Sequence, residues 1–278
     1  MRKFLKWASI VLGGLLVLTV LTGLVLYPIG MKKLTRTYPN ITVEAVNIPT
    51  DADAIVRGKH ISIIWSCTKC HGADLSGALM TNDPIEGDIP TFGAIPATNL
   101  TSGNGGIAQS YTDADWIRTI RHGVKPDGQV EIYMYEYFSN MSDQDLGDLI
   151  AYLKHIPPVD SVTRAIRYGP IIPIFPAIGM FTPAAELIDH DVPRPTDPIA
   201  GATKEYGSYL SVICAECHGT SVGRKFEKWS EDDFIRSFHT GVLPDGRKLG
   251  PTMSSNTFRE LTDVELSALW LYFTSVKP

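Results

Sequence analysis

The residues best equipped for chemistry are four cysteines, and they fall in two copies of one pattern: Cys67-Thr68-Lys69-Cys70-His71 and Cys214-Ala215-Glu216-Cys217-His218. Two thiols three residues apart can add to the two vinyl groups of one haem, and the adjoining histidine then offers its imidazole to the iron as proximal ligand. The two patterns use every cysteine, so none remains for a structural disulfide. Other uses of CxxC fit less well. A zinc ribbon needs its two pairs about 15 to 20 residues apart, whereas 143 residues separate Cys70 from Cys214. A thioredoxin-like dithiol would sit in a strand-rich fold. The expected cofactors are two haem c groups, attached through Cys67, Cys70, Cys214 and Cys217, with their irons on His71 and His218.

An electron-transfer haem also wants a second axial ligand, and a thioether sulfur there raises the reduction potential. Met134 in EIYMYEYF and Met253 in LGPTMSSNTF are the candidates, each following a Pro-Asp-Gly turn. Met141 competes with Met134, but it aligns with Leu261 of the second copy and reads as core. Met80 lies only nine residues after His71, too close to circle a haem, and Met180 belongs to a proline-rich stretch. Histidines outside the motifs are His60, His122, His155, His190 and His239. Any of them could supply bis-His ligation at the first haem. His122, whose counterpart in the second copy is Thr240, reads instead as a cation at the surface or at a helix C-terminus.

The elements that must hold these groups also occur twice. The first copy reads RGKHISIIWSCTKCHG, YTDADWIRTIRHGVKPDG, MSDQDLGDLIAYLKHIPP; the second reads EYGSYLSVICAECHG, WSEDDFIRSFHTGVLPDG, LTDVELSALWLYFTSVKP. Each implies a helix entering the motif, a middle helix ending at glycine, a Pro-Asp-Gly turn and a closing helix. Thr112, Ser142, Ser230 and Thr262 precede acidic first turns, and Thr262 with Glu265 makes a capping box. Apolar residues recur at three and four in the closing helices, as Leu146, Leu149, Ile150, Leu153 and Leu266, Leu269, Trp270, Phe273. These faces are core. Trp116 and Trp229 open the two middle helices, where they could pack near porphyrin or simply in the core. Strand alternation is nearly absent, so the fold class is all-α.

Residues 7–31 carry no charge and would make a helix of about 37 Å, longer than the roughly 30 Å bilayer hydrocarbon. This reads as an uncleaved single-pass anchor, since a secretory signal has a shorter core and a small-residue cleavage site. Three basic residues flank each end, so charge does not orient it. Without the six basic residues of the first 37 positions, the remaining 241 residues hold 19 basic against 30 acidic side chains, a net charge of −11. That balance excludes nucleic acid as a partner. Between the copies lie 9 of the 19 prolines, marking a connector. Its uncharged middle, residues 169–181, is too short to span a bilayer and reads as a strap packed over one or both domains, with a membrane-dipping segment as the alternative. The expected organisation is an anchor with flanks at 1–37, one haem domain at 38–157, a Pro-rich linker at 158–200 and a second haem domain at 201–278.

These motifs, with Asn99-Leu100-Thr101, the D-W-x-R-x-I-R-x-G-V run and the S/T-D-x-(D/E)-L helix starts, resemble membrane-anchored bacterial dihaem c-type cytochromes built from two class I cytochrome c domains. The likeness runs from about Ile55 to the C-terminus. It implies iron ligation by His71 with Met134 and by His218 with Met253, and close crossing of N- and C-terminal helices at Gly58 with Tyr152 and at Gly207 with Tyr272. The chain departs from that pattern in a shortened first methionine loop, with Tyr135 in place of the usual proline. Similar proteins receive haem outside the cytoplasmic membrane, which places residues 1–6 in the cytoplasm and Thr35 onward in the periplasm. The implied function is electron transfer by a membrane-tethered relay without substrate chemistry. Its partners would be a redox donor and acceptor such as a periplasmic dehydrogenase or a terminal oxidase. A dihaem peroxidase is the enzymatic alternative, and it would need an open or His-gated iron.

Overall fold

The architecture follows from helix signals that the chain uses twice. The structure is a computed structural model that describes residues 2–81, 92–132, 134, 136–219, 226, 228–250, 253 and 256–276, with the side chains of 79–81 and 216 excepted. Helix α1 spans Arg2–Leu34 and leaves most of its apolar side chains outside the fold, only its last turns being buried. Then follow α2 (Ala52–Ile64), α3 (Cys67–His71), strands β1 (Leu79–Thr81) and β2 (Gly93–Pro96), α4 (Asp113–His122), a 3-10 turn at Glu136–Asn140 and α5 (Asp143–His155). The connector adds β3 (Arg167–Tyr168), α6 (Ile174–Ala177) and α7 (Ala184–Leu187). The second copy consists of α8 (Lys204–His218), α9 (Glu231–Thr240), α10 (Asn256–Arg259) and α11 (Asp263–Ser275).

All four expected caps are present. The side chains of Thr112, Ser142, Ser230 and Thr262 accept from the backbone N–H three residues on, and Thr112 with Asp115, Ser230 with Asp233 and Thr262 with Glu265 form full capping boxes. Each copy then crosses its first and last helices. A Cβ on Gly58 would lie 1.9 Å from the Asp148 carbonyl oxygen and 2.7 Å from Tyr152 Cβ. On Gly207 it would lie 1.9 Å from the Ala268 oxygen and 2.9 Å from Tyr272 Cβ. Only glycine permits that approach. The turns after α4 and α9 close in the same way, through antiparallel bridges Val124 to Val130 and Val242 to Lys248.

The structure corrects the all-α expectation in one place. Strands β1, β2 and β3 form a small antiparallel sheet in that order. Its third strand comes from the connector, so no local alternation marks it. The connector is therefore part of the first unit. Asn99 donates to the carbonyls of Val159 and Ser161 at 2.8 and 3.1 Å, and Thr101 Oγ1 donates to that of Val159 at 3.2 Å. Ile172 and Ala185 are buried with Leu34, Ile95, Val124, Val130 and Ile132 in a core that includes the end of α1.

The two copies share a larger core, running from Ile61, Trp65 and Trp116 through Leu149 to Leu210, Phe234 and Phe273. Polar contacts tie them as well. His60 Nε2 lies 2.8 Å from Glu265 Oε1, and Tyr209 donates its hydroxyl to Asp145 at 2.6 Å while accepting from the Ser142 N–H at 3.1 Å.

Candidate haem sites

The first motif begins where α2 is forced to stop. Ser66 takes the left-handed conformation, with φ 67°, which costs a non-glycine residue free energy, and the chain restarts as α3 with both cysteines and His71 on a single helical segment. Leu75, just beyond, is the only other non-glycine residue with positive φ among the described residues, at 59°. Strained residues on both sides of a short reactive segment are the kind of feature that collects at functional sites.

His71 is oriented by the backbone. Its Nδ1–H donates to the Thr98 carbonyl at 2.7 Å, because a carbonyl can only accept, and this fixes the tautomer that leaves Nε2 with its lone pair. That outer hydrogen bond is what a metal-ligating histidine needs. Burial pushes its pKa down, so the ring is neutral. The loop bearing Thr98 is held in turn by fully buried Asn99, which binds the connector and accepts from the Thr101 N–H at 2.9 Å. Sequence reasoning did not find Thr98 as a partner. It acts through its main chain, which leaves no side-chain signature.

The cysteines lack the depressed pKa that thiolate chemistry requires. Burial pushes the thiols of Cys67 and Cys214 up to about 12 and that of Cys70 upward, the reverse of a reactive dithiol or a thiolate metal site. No cysteine is in a disulfide, and no cluster of three or more metal-ligating side chains occurs among the described residues.

The residues around the first motif fit a large apolar group with polar edges. Trp65 and Trp116 are 0% and 1% exposed, yet their indole N–H groups have no hydrogen-bond partner, a cost that buried donors rarely bear. Haem propionates are acceptors of the right kind. Met134 is half-buried against the same core, whereas Met141 is fully buried and serves as packing. Tyr135, at the departure from the family pattern, lies outside the described residues.

The second motif is built differently. Cys214, Cys217 and His218 form the last turn of the continuous 15-residue helix α8, with Cys214 half-buried and Cys217 exposed. Met253 is half-buried against the shared core, as are Phe226, Trp229 and Trp270 around Phe234.

The remaining histidines have partners of their own. His155 Nδ1 donates to the Ala151 carbonyl at 2.7 Å, and His239 Nε2 lies 2.8 Å from Asp263. His122 is not the surface cation its position suggested. It is 1% exposed, with Nδ1 3.0 Å from Nδ1 of His190, whose Nε2–H donates to the Ala185 carbonyl at 3.0 Å. Burial, with Arg194 and His190 nearby, pushes its pKa down to about 3. A helix C-terminus favours a cation only where water or an anion accompanies it.

With this geometry in view, residues 55–157 match the family model described as cytochrome c. The chain carries a cytochrome c domain. The match covers the strained first motif, Thr98, Met134 and the closing helix α5, and such a domain implies haem c with its iron. Over 274 residues the chain is 24% identical to the fructose dehydrogenase cytochrome subunit of Gluconobacter japonicus, covering 82% of this chain and 54% of that one. It is 27% identical over 248 residues to the cytochrome c subunit of the quinone alcohol dehydrogenase of Gluconobacter oxydans, covering 72% and 50%. A diheme cytochrome c-type protein of Cereibacter sphaeroides is 30% identical over 108 residues, covering 37% and 36%. The chain thus spans about half the length of the two dehydrogenase subunits.

Proposed function

We propose that this protein is a membrane-tethered dihaem cytochrome c that relays single electrons between redox proteins. The observation that carries the reading is the cytochrome c domain in which His71, next to the two cysteines, has its Nδ1–H held by the Thr98 carbonyl. Residues 38–157 and 201–278 would be two tandem haem domains joined by 158–200, each haem held through Cys67 and Cys70 or Cys214 and Cys217. The irons would lie between His71 and Met134 and between His218 and Met253. When bound, each haem iron alternates between ferrous and ferric states, taking up and passing on one electron. The chain's own part is to keep the His71 ring neutral and oriented, to bring thioether sulfur to the other face and to exclude water with the aromatic core.

Several features support a second haem. The helix crossing, caps and turn of the first copy recur in the second. The 18% of the chain outside the longest match is shorter than the 66 residues before Cys67 and the 60 after His218, so both motifs fall inside the match to the fructose dehydrogenase subunit.

Helix α1 would be the anchor, with its N-terminus cytoplasmic and the haem units periplasmic. A retained helix is supported by its last turns, where Gly30 and Leu34 are buried in the fold. A sugar, alcohol or related dehydrogenase is the class of donor that the relatives' names suggest, and a basic docking face would suit the −11 charge through faster association. The peroxidase alternative is not supported. An optically monitored redox titration tests the function: two low-spin haems with thioether-iron bands are expected, whereas a high-spin haem that turns over peroxide would overturn the relay.

A further inference from the structure

The uncharged stretch of the connector meets helix α1 at the end of its apolar run. A Cβ on Gly30 would lie 1.6 Å from the Pro173 carbonyl oxygen, so the connector backbone rests directly on the helix. Leu26, one turn deeper, is half-covered and Leu34 is buried, while Leu24, Val25, Tyr27 and Ile29 stay exposed. The connector therefore covers one stripe at the end of α1, over Gly30 and Leu34.

The depth of that stripe follows from helix geometry. If Trp7 lies at one interface, about 20 residues of helix cross the roughly 30 Å hydrocarbon, which brings the opposite interface to Tyr27. Tryptophan and tyrosine prefer those two levels. Lys32 and Lys33 then lie among headgroups, where anionic lipid attracts them. Gly30 and the Pro173 backbone lie at the boundary between acyl chains and headgroups. At that same place the connector turns apolar side chains outward: Ile178 is 51% and Met180 72% exposed, with Ile171 also open. No charged residue occurs between Gly169 and Phe181.

We infer that residues 171–180 form a foot that rests in the lipid interface beside α1, with Ile178 and Met180 entering the acyl boundary. The inference rests on α1 being a retained anchor. It makes the first unit a body seated on the membrane, because α6 also packs into the core around Ile172 and Ala185. Apolar side chains at the interface bind in proportion to the area they bury there.

The test uses the full-length, haem-loaded chain in vesicles of phosphatidylethanolamine and phosphatidylglycerol. Three single variants carry a photoreactive benzoylphenylalanine in place of Met180, of Leu18 in the middle of α1, or of Ile199, which is 89% exposed near the second unit. After illumination, mass spectrometry reads lipid adducts. Adducts at position 180 comparable with those at position 18, and none above background at position 199, support the foot. Adducts at position 18 with none at position 180 overturn the foot and leave the anchor standing. None at either position overturns both.

Discussion

The two CxxCH regions carry the same five-residue pattern on different local scaffolds. In the first, a left-handed Ser66 breaks α2 ahead of the motif, Thr98 fixes His71, and buried Asn99 ties that loop to the connector. In the second, the motif is the end of an unbroken helix and Cys217 is exposed. What the copies share is the distal framework of crossing glycines, capped middle helices and turns. The framework is thus the repeated element, and the immediate surroundings of each CxxCH motif are where the two regions diverge. The first site is also braced by the sheet, the connector and the end of α1, whereas the second unit leans on the first through the shared core and a few polar contacts. With a haem on each motif, as proposed, the arrangement would give two centres of unlike potential, since hydrogen bonding and burial tune such centres.

The largest effect expected is on the shared framework. Gly58→Ala and Gly207→Ala each drive a Cβ into a backbone carbonyl, an overpacking that should cost about 3 kcal/mol or more. Melting followed at each haem's absorbance should show Gly207→Ala loosening the second unit alone and Gly58→Ala loosening both, because the second packs on the first. Equal and independent losses would remove the hierarchy. At the proposed axial positions, Met134→Ala and Met253→Ala should each keep the haem and lower the potential of one centre by an appreciable share of the roughly 0.8 V that axial ligands span. A redox titration checks this, and an unchanged potential would show that the methionine removed is not a ligand.

The contact between units should depend on pH. His60 has its pKa raised chiefly by the hydrogen bond with Glu265. Burial pushes Glu265 up, but hydrogen bonds from His60 and Thr262 outweigh it and hold its carboxyl below the ordinary value. The histidine's contribution is full below its unfolded pKa and disappears as pH rises through the raised folded value. The carboxylate's contribution is present above its unfolded pKa and disappears as pH falls through the depressed one. The pair is therefore strongest in mildly acidic solution. With His60 about a third exposed, His60→Ala should cost about 1 kcal/mol there and less at alkaline pH. Protease sensitivity of the segment before α8 measures it, and a loss independent of pH would contradict the pairing. The smallest contrast is in the caps. Thr112→Ala and Ser230→Ala should each cost about 1 kcal/mol, with nearly the same loss in denaturant midpoint, since both sit in equivalent capping boxes.

Much of this framework was legible in the chain because its signals are local. Caps lie three residues from their partners, and the motif cysteines and histidine are adjacent. The glycine crossings came from the family likeness and match the structure. What escaped depends on residues distant in sequence or on main-chain atoms. Strand β3 lies more than 70 residues from β2 and has only two residues. Thr98 binds His71 through its carbonyl, Ser66 departs from helix without a glycine to mark it, and His122 is neutral because it is buried, with Arg194 and His190 brought beside it by the connector. The cross-unit pairs of His60 with Glu265 and Tyr209 with Asp145 likewise join separate copies, beyond the reach of periodicity.

The central claim is that both motifs bear covalently bound haem. Intact mass spectrometry of the protein matured in a host with the haem-attachment machinery, paired with a pyridine haemochrome assay, tests it most directly. The account predicts the polypeptide mass plus two haems and two haemochromes per chain. A bare polypeptide mass, or a single haem on the first motif alone, would contradict it.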